Sequence, residues 1–260
     1  LKFQPSEIIK LTTPLMLAWH YAKNDGDISL KQHLLALLII IIPFCLIFIQ
    51  PDLGTALMIS FVGLVIIFVA GLPIKFISIS FILFLLSSPF LWGILQPYQQ
   101  KRIMTLFDPF SDALGSGYQT IQSMIALGSG GLIGKGWGNA TQTYLDFLPE
   151  SSTDFIFAVF SEEFGFLGVI SALILYLLIF YRCMFIVTRM QDTFSRILSL
   201  GILMSLFFGL IINLGMISGI LPIVGVPLPL FSYGGTSMVV SLISIGIIMT
   251  LYNNKTLIAN

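Results

Sequence analysis

The chain has 260 residues, 57% of them hydrophobic and 9% charged, against about 45–50% apolar and about 25% charged in an ordinary soluble domain. So few charges cannot clothe a surface in water, which excludes a soluble enzyme and leaves long tracts that must face lipid. Twelve Lys+Arg balance twelve Asp+Glu, so there is no basic face to hold nucleic acid.

In chain order, apolar stretches near the membrane-spanning length fall at 5–21, 34–49, 53–71, 76–95, 155–181, 197–218 and 231–251. The pattern predicts an all-α integral membrane protein, a polytopic helical bundle of seven transmembrane helices forming a single domain over 1–260. Gln50-Pro51-Asp52 and Gly71-Leu72-Pro73 divide the second, third and fourth stretches as tight hairpin turns would. Lys23, Lys31, Lys75, Arg182, Arg189, Arg196 and Lys255 fall in one set of connections. The opposite, longer set holds only Lys2, Lys101, Arg102 and Lys135, which assigns the first set to the cytoplasm. On that assignment 96–153 is one large extracytoplasmic loop, and 219–230 is a Pro/Gly-rich extracytoplasmic or re-entrant segment. The chain opens at Leu1 with neither Met nor a signal-peptide pattern and reads as a piece of a longer protein.

The long loop carries Tyr98, Tyr118, Trp137, Tyr144 and Phe147, too many aromatic residues for a disordered linker. Within it, IQSMIAL at 121–127 has the pattern of a short amphipathic helix at the interface. GSGGLIGKGWG at 128–138 lacks the Ser or Thr that a Walker A loop needs after Gly-Lys. It reads either as a reverse turn between short helices or as backbone N–H groups and Lys135 offered to an anionic headgroup. The prolines and glycines of 219–235 forbid a continuous helix, leaving a structural re-entrant loop or the wall of a substrate groove. His20 and His33 flank a cytoplasmic loop as interfacial residues, and Cys45 and Cys183 have neither metal-ligand nor disulfide spacing.

Asp52, Asp108, Asp112, Asp146, Glu150, Asp154, Glu162 and Glu163 lie on or just below the assigned outer face. Asp108, Asp112 and Asp146 suit turns. Asp154 stands where PESSTDF meets a helix that runs into the membrane. It reads either as an N-cap or first-turn acid, or as a boundary carboxylate beside Phe155 and Phe157 with the raised pKa of a general base; both stay open. Glu162, eight residues on, is rotated about 80° around a helix and is the inward candidate partner, while Glu163 points away. Glu7 and Lys10 are i,i+3 neighbours able to pair at membrane depth. No metal cluster, Ser-His-Asp set or nucleotide loop can be assembled.

FQPSE at 3–7, QPDLGTA at 50–56, GYQTIQSMIALGSGGLIGKGWG at 117–138, TQTYLDFLPESSTDFIFAVFSEEFGFLG at 141–168 and GVPLPLFSYGGTSM at 225–238 resemble the SEDS family (shape, elongation, division and sporulation). The motifs occur in the family's order over essentially the whole chain, and GKGWGNATQT and MISGILPIVGVPLP resemble its RodA branch more than its FtsW branch. The resemblance implies a ten-helix fold of the bacterial cytoplasmic (inner) membrane, which this chain joins at the fourth helix. It also implies a glycosyltransferase that polymerises lipid II into peptidoglycan glycan strands on the outer face during cell elongation. A class B penicillin-binding protein and the elongation machinery would be its partners.

Asp154 aligns with the family's essential acid, and Glu7 and Lys10 match its buried acid and base; Ser151-Ser152 departs from the basic residue and His of many relatives. The implied chemistry makes Asp154 the base for the acceptor 4-hydroxyl. Lys101, Arg102 and Lys135 become candidates for the pyrophosphate, with a divalent cation (Mg or Mn) as the candidate cofactor. Gln119, Gln122, Ser123 and Gln142 are candidates to hydrogen-bond sugar or peptide, Glu150 to contact substrate, and an apolar groove to hold the undecaprenyl tails. A lipid II flippase built on Glu7, Lys10 and the broken segment, or a non-catalytic scaffold for a penicillin-binding protein, are the alternatives.

Overall fold

The computed structural model describes residues 4–24, 29–112, 115–144 and 147–253. Lys2, Asp146 and Lys255, used above for sidedness and turns, lie outside them. The seven predicted stretches fall on helices α1 (Pro5–Lys23), α2 (Leu30–Ile49), α3 (Leu53–Val69), α4 (Ile74–Ile94), α8 (Ile156–Thr188), α9 (Thr193–Ile217) and α10 (Gly235–Asn253). The expected long loop contains α5 (Pro97–Phe107), a 3-10 turn (Pro109–Asp112), α6 (Ser116–Ser129) and the short α7 (Thr141–Tyr144). The described residues contain no strand. By length and composition α2, α8, α9 and α10 can each cross a membrane, and α3 is a shorter apolar helix. This is a polytopic all-helical membrane protein.

The chain divides into two compact units. The first comprises Leu1–Ile77, Leu177–Gly209 and Gly234–Asn260. Here α2 and α3 form a helical hairpin whose turn is fixed by Asp52, the N-cap of α3, which accepts from the Thr55 N–H at 3.0 Å. Gly63 lets the two backbones approach, since a Cβ there would lie 2.5 Å from the Ile40 side chain. Leu17, Tyr21, Ile40, Ile66, Ile67, Ile202, Leu203 and Ile248 form the core of this unit. Both histidines belong to that packed region and are buried. The Tyr21 hydroxyl and His33 Nδ1 are 3.0 Å apart, and His20 Nε2 lies 3.0 Å from the Gln32 carbonyl. Each ring thus finds a hydrogen-bond partner inside, which offsets its desolvation.

The second unit comprises Ser78–Tyr176 and Leu210–Tyr233. The helix expected around 121–127 is present as α6, and its buried face is a stripe of small residues: Gly117, Thr120, Ser123 and Ala126. Such a face admits close packing with little side-chain entropy to lose. The last predicted stretch begins four residues late, because 231–234 belong to the Pro/Gly segment. There Leu230 has φ +64°, and the Phe231 and Ser232 N–H groups both turn back to the Leu228 carbonyl.

Helix α8 is interrupted at Gly165, where φ is +64° and ψ is −165°. Only glycine adopts that conformation without strain. An unbroken helix would bond the Phe166 N–H to the Glu162 carbonyl and the Leu167 N–H to the Glu163 carbonyl. Instead, the 128–138 loop supplies all four partners. Lys135 and Gly136 N–H groups donate to the Glu162 and Glu163 carbonyls at 3.0 Å each, while Phe166 and Leu167 donate to the Gly131 and Leu132 carbonyls at 2.9 and 3.1 Å. A Cβ on Gly134 would overlap the Glu163 carbonyl, and one on Gly165 would overlap the Gly134 nitrogen. The glycines of this motif therefore serve a close loop-to-helix approach.

Candidate functional site

Asp154 lies half-buried in the turn 151–155 immediately before α8. Local bonds shape that turn: Thr153 and Phe155 N–H groups donate to the carbonyl of Glu150, itself at φ +55°. Three further hydrogen bonds fix it within its unit. Asn213 Nδ2, fully buried on α9, donates both to the Asp154 carbonyl and to the Val226 carbonyl, at 2.8 Å each. Ser232 Oγ donates to the Thr153 carbonyl at 2.6 Å while accepting from the Leu228 N–H at 2.7 Å. The Tyr233 N–H donates to the Ser152 carbonyl at 3.0 Å. Tyr176 adds a bond from its hydroxyl to the Pro229 carbonyl at 2.6 Å.

The Pro/Gly segment is thus tied to the Asp154 turn residue by residue. Its backbone, which no helix can satisfy, finds partners in side chains and in that turn, as irregular backbone at membrane depth requires. Gly225, at φ +75°, faces the carboxylate: a Cβ there would stand 3.4 Å from Asp154 Oδ2. Phe231 of the segment meets Phe157 and Phe160 of α8 edge-on, with ring centroids 6.0 and 5.2 Å apart. The Asn213 tether carries no sequence signature beyond a lone polar residue in an apolar helix, a pattern that itself marks a candidate.

Several other candidates have different occupations. Glu162, read as the candidate inward partner of Asp154, is bound by the segment 135–142. Its fully buried carboxylate accepts from Lys135 Nζ at 2.6 Å, from the Thr141 hydroxyl and N–H at 2.6 and 3.0 Å, and from the Gln142 N–H at 3.3 Å. Lys135, read as a cation for the pyrophosphate, is committed to that carboxylate and to Thr141 Oγ1. Of the backbone N–H groups of its loop, read as an anion cradle, those of Lys135 and Gly136 donate to the Glu162 and Glu163 carbonyls and that of Gly138 to the Glu163 carboxylate. Ser123 is not available to a ligand: fully buried, its hydroxyl donates to the Thr120 and Ile217 carbonyls at 2.9 and 3.1 Å. These arrangements share one cause, because buried polar groups find hydrogen-bond partners within the protein.

Lys101 pairs with Asp112 at 2.9 Å yet stays largely exposed, and Arg102 lies over the Tyr98 ring at 5.8 Å. The Lys101 ammonium, with the Ser116 N–H and hydroxyl, holds the Asp112 carboxyl below its usual range. Gln119 and Gln122 are half-buried on α6. Gln142 Oε1 is buried and finds no hydrogen-bond partner among the described residues. Glu150 is exposed and accepts from the Thr153 hydroxyl at 2.8 Å. In the first unit Glu7 and Lys10 form the expected pair, both largely buried, at 2.5 Å.

An all-helical polytopic membrane chain with an acid at the mouth of a span defines the class of protein. Residues 1–257 match the family model for FtsW, RodA and SpoVE, described as cell cycle proteins. The chain belongs to that family. It is 46% identical over 259 residues to the peptidoglycan glycosyltransferase MrdB of Escherichia coli, covering 99% of this chain and 70% of the relative. A solved peptidoglycan synthase complex, described for its structural coordination of polymerization and crosslinking, holds a chain that superposes with a TM-score of 0.79 at 33% identity, over 98% of this chain and 71% of that one. The rod shape determining protein RodA of Thermus thermophilus superposes with a TM-score of 0.68 at 29% identity, over 98% and 67%.

Proposed function

We propose that this protein is a peptidoglycan glycosyltransferase that extends glycan strands from lipid II, with Asp154 as general base. One observation carries the assignment of the base: three hydrogen bonds from α9 and the Pro/Gly segment, made by groups outside the turn, hold the Asp154 turn. A mere cap for α8 needs no such scaffold, whereas a base must be fixed within hydrogen-bond reach of the hydroxyl it deprotonates. Asp154 takes the proton of the acceptor 4-hydroxyl as that oxygen bonds to the donor's anomeric carbon. The anomeric carbon–phosphate bond breaks, and the lipid pyrophosphate leaves. Membership in a family whose relatives bear the name glycosyltransferase supports this activity.

Charge sidedness supports placement in the bacterial cytoplasmic membrane with the Asp154 face outward. The solved synthase complex supports a class B penicillin-binding protein as partner. Among the described residues no three His, Cys, Asp or Glu side chains converge on a metal position. A divalent cation therefore enters the proposal only as a companion of the pyrophosphate, and no step is routed through it.

The test uses the complete protein with its penicillin-binding partner, whose transpeptidase is blocked, and follows glycan length from lipid II. Asp154→Asn is expected to lower the polymerisation rate by about 10²–10⁴-fold with folding and complex formation intact. Equal polymer from both proteins would remove Asp154 from the mechanism. No polymer from either would favour a translocator, for which the buried Glu7–Lys10 pair is the pertinent feature.

A further inference from the structure

The tip of the 128–138 loop is apolar and uncovered. Leu132, Ile133 and Trp137 are 69%, 79% and 81% exposed. In an aqueous loop such a patch would be an aggregation hazard. Its position on α8 indicates a different surrounding. Residues 164–181 of α8 form an 18-residue run without a charge, bounded by Glu162 and Glu163 at one end and Arg182 at the other. That run is about 27 Å long, close to the roughly 30 Å of a hydrocarbon core. The apolar zone of the bilayer thus starts near Phe164.

The loop meets α8 at that level. The Gly131 and Leu132 carbonyls pair with Phe166 and Leu167, which lie just inside the boundary, and the Trp137 ring packs edge-on against Phe164 at 5.9 Å. Lys135 and Glu162 are paired beside the boundary. Below it α8 presents exposed Phe166, Leu167, Ile170, Ile174 and Leu175, the lipid-facing row of a spanning helix. Leu132 is hydrogen-bonded through its carbonyl to Leu167 of that row, and Ile133 follows it.

We propose that the 128–138 loop is an interfacial membrane anchor. Leu132 and Ile133 enter the upper acyl chains of the leaflet at the N-terminal end of α8, and Trp137 sits at the level of the lipid headgroups. Irregular backbone near the apolar zone needs partners for its polar groups, and the break at Gly165 supplies four of them: the Gly131 and Leu132 carbonyls and the Lys135 and Gly136 N–H groups all bond to α8. Tryptophan at the headgroup boundary, with aliphatic side chains below it, is the expected division of labour. The glycine-rich motif is thereby an anchor that sets the depth of the segment leading into α7. The inference is independent of Asp154 and of the reaction.

The experiment places the complete protein, with every tryptophan except Trp137 replaced by Phe, in phosphatidylethanolamine–phosphatidylglycerol bilayers. Trp137 emission is then read with lipids brominated near the top of the acyl chain and, separately, with aqueous iodide. A blue-shifted emission that loses most of its intensity to the brominated lipid and little to iodide is expected. The double variant Leu132→Ser/Ile133→Ser should red-shift it and raise the iodide quenching severalfold, with the melting transition showing that both proteins are folded. Emission as in water, quenched by iodide, would overturn the proposal in favour of a solvated loop. Emission insensitive to both quenchers would overturn it in favour of a protein partner covering the patch.

Discussion

The Glu162 carboxylate takes four hydrogen bonds in a fully buried site, three of them from Thr141 and Gln142 and the fourth from Lys135. Removing one member of a buried ion pair leaves the other uncompensated, at a cost of about 3–5 kcal/mol. The Lys135 side chain is 32% exposed, so water screens part of that charge and the low end applies. Lys135→Met is expected to destabilise the protein by about 3 kcal/mol. Adding Glu162→Gln removes the stranded charge while keeping an acceptor oxygen for the Thr141 hydroxyl and N–H, so the double variant should be more stable than Lys135→Met alone. Chemical denaturation in detergent across the four proteins of the cycle measures this coupling. A lysine serving the pyrophosphate instead would leave stability unchanged and raise KM for lipid II.

At the scale of elements, the interruption of α8 reverses an ordinary expectation. In a regular helix glycine is worse than alanine by about 1 kcal/mol, so Gly165→Ala should stabilise. Here Gly165 is left-handed and its added Cβ would overlap the Gly134 nitrogen. Strain of about 1–3 kcal/mol opposes the substitution, and loss of the loop's four hydrogen bonds to α8 adds to it. The expected result is a lower melting temperature for Gly165→Ala, together with faster amide exchange at Lys135 and Gly136. A rise in melting temperature would mean that α8 is continuous. This element was half legible in the sequence. Hydropathy located the span because an apolar run near 20 residues has few other meanings. It could not reveal the break, since Gly165 within FSEEFGFLG is compatible with a straight helix. The glycine-rich loop likewise shows its meaning only when Gly134 and Gly165 are seen to touch.

For the molecule as a whole, composition settled the solvent and the helical class, because burial of backbone polar groups in lipid leaves few alternatives. It could not assign duties to individual charges. Lys101 illustrates this, since a basic residue in an exposed loop looks available until its partner is known, and Asp112 lies eleven positions on, at the end of the 3-10 turn. That pair yields a prediction about global stability. A carboxyl held below its ordinary value, about 4, binds its proton more weakly folded than unfolded. It therefore contributes stability at and above that ordinary value and loses the contribution as pH falls through its lower, folded value. Lys101→Met should lower the melting temperature at pH 7, and the gap from wild type should close progressively below about pH 4. Asp112→Asn should show the same closing gap, because at low pH the wild-type carboxyl is itself neutral. Melting curves of the three proteins from pH 7 down to about 3 distinguish this from a packing role of the lysine stem. A packing role would keep the Lys101→Met gap constant throughout.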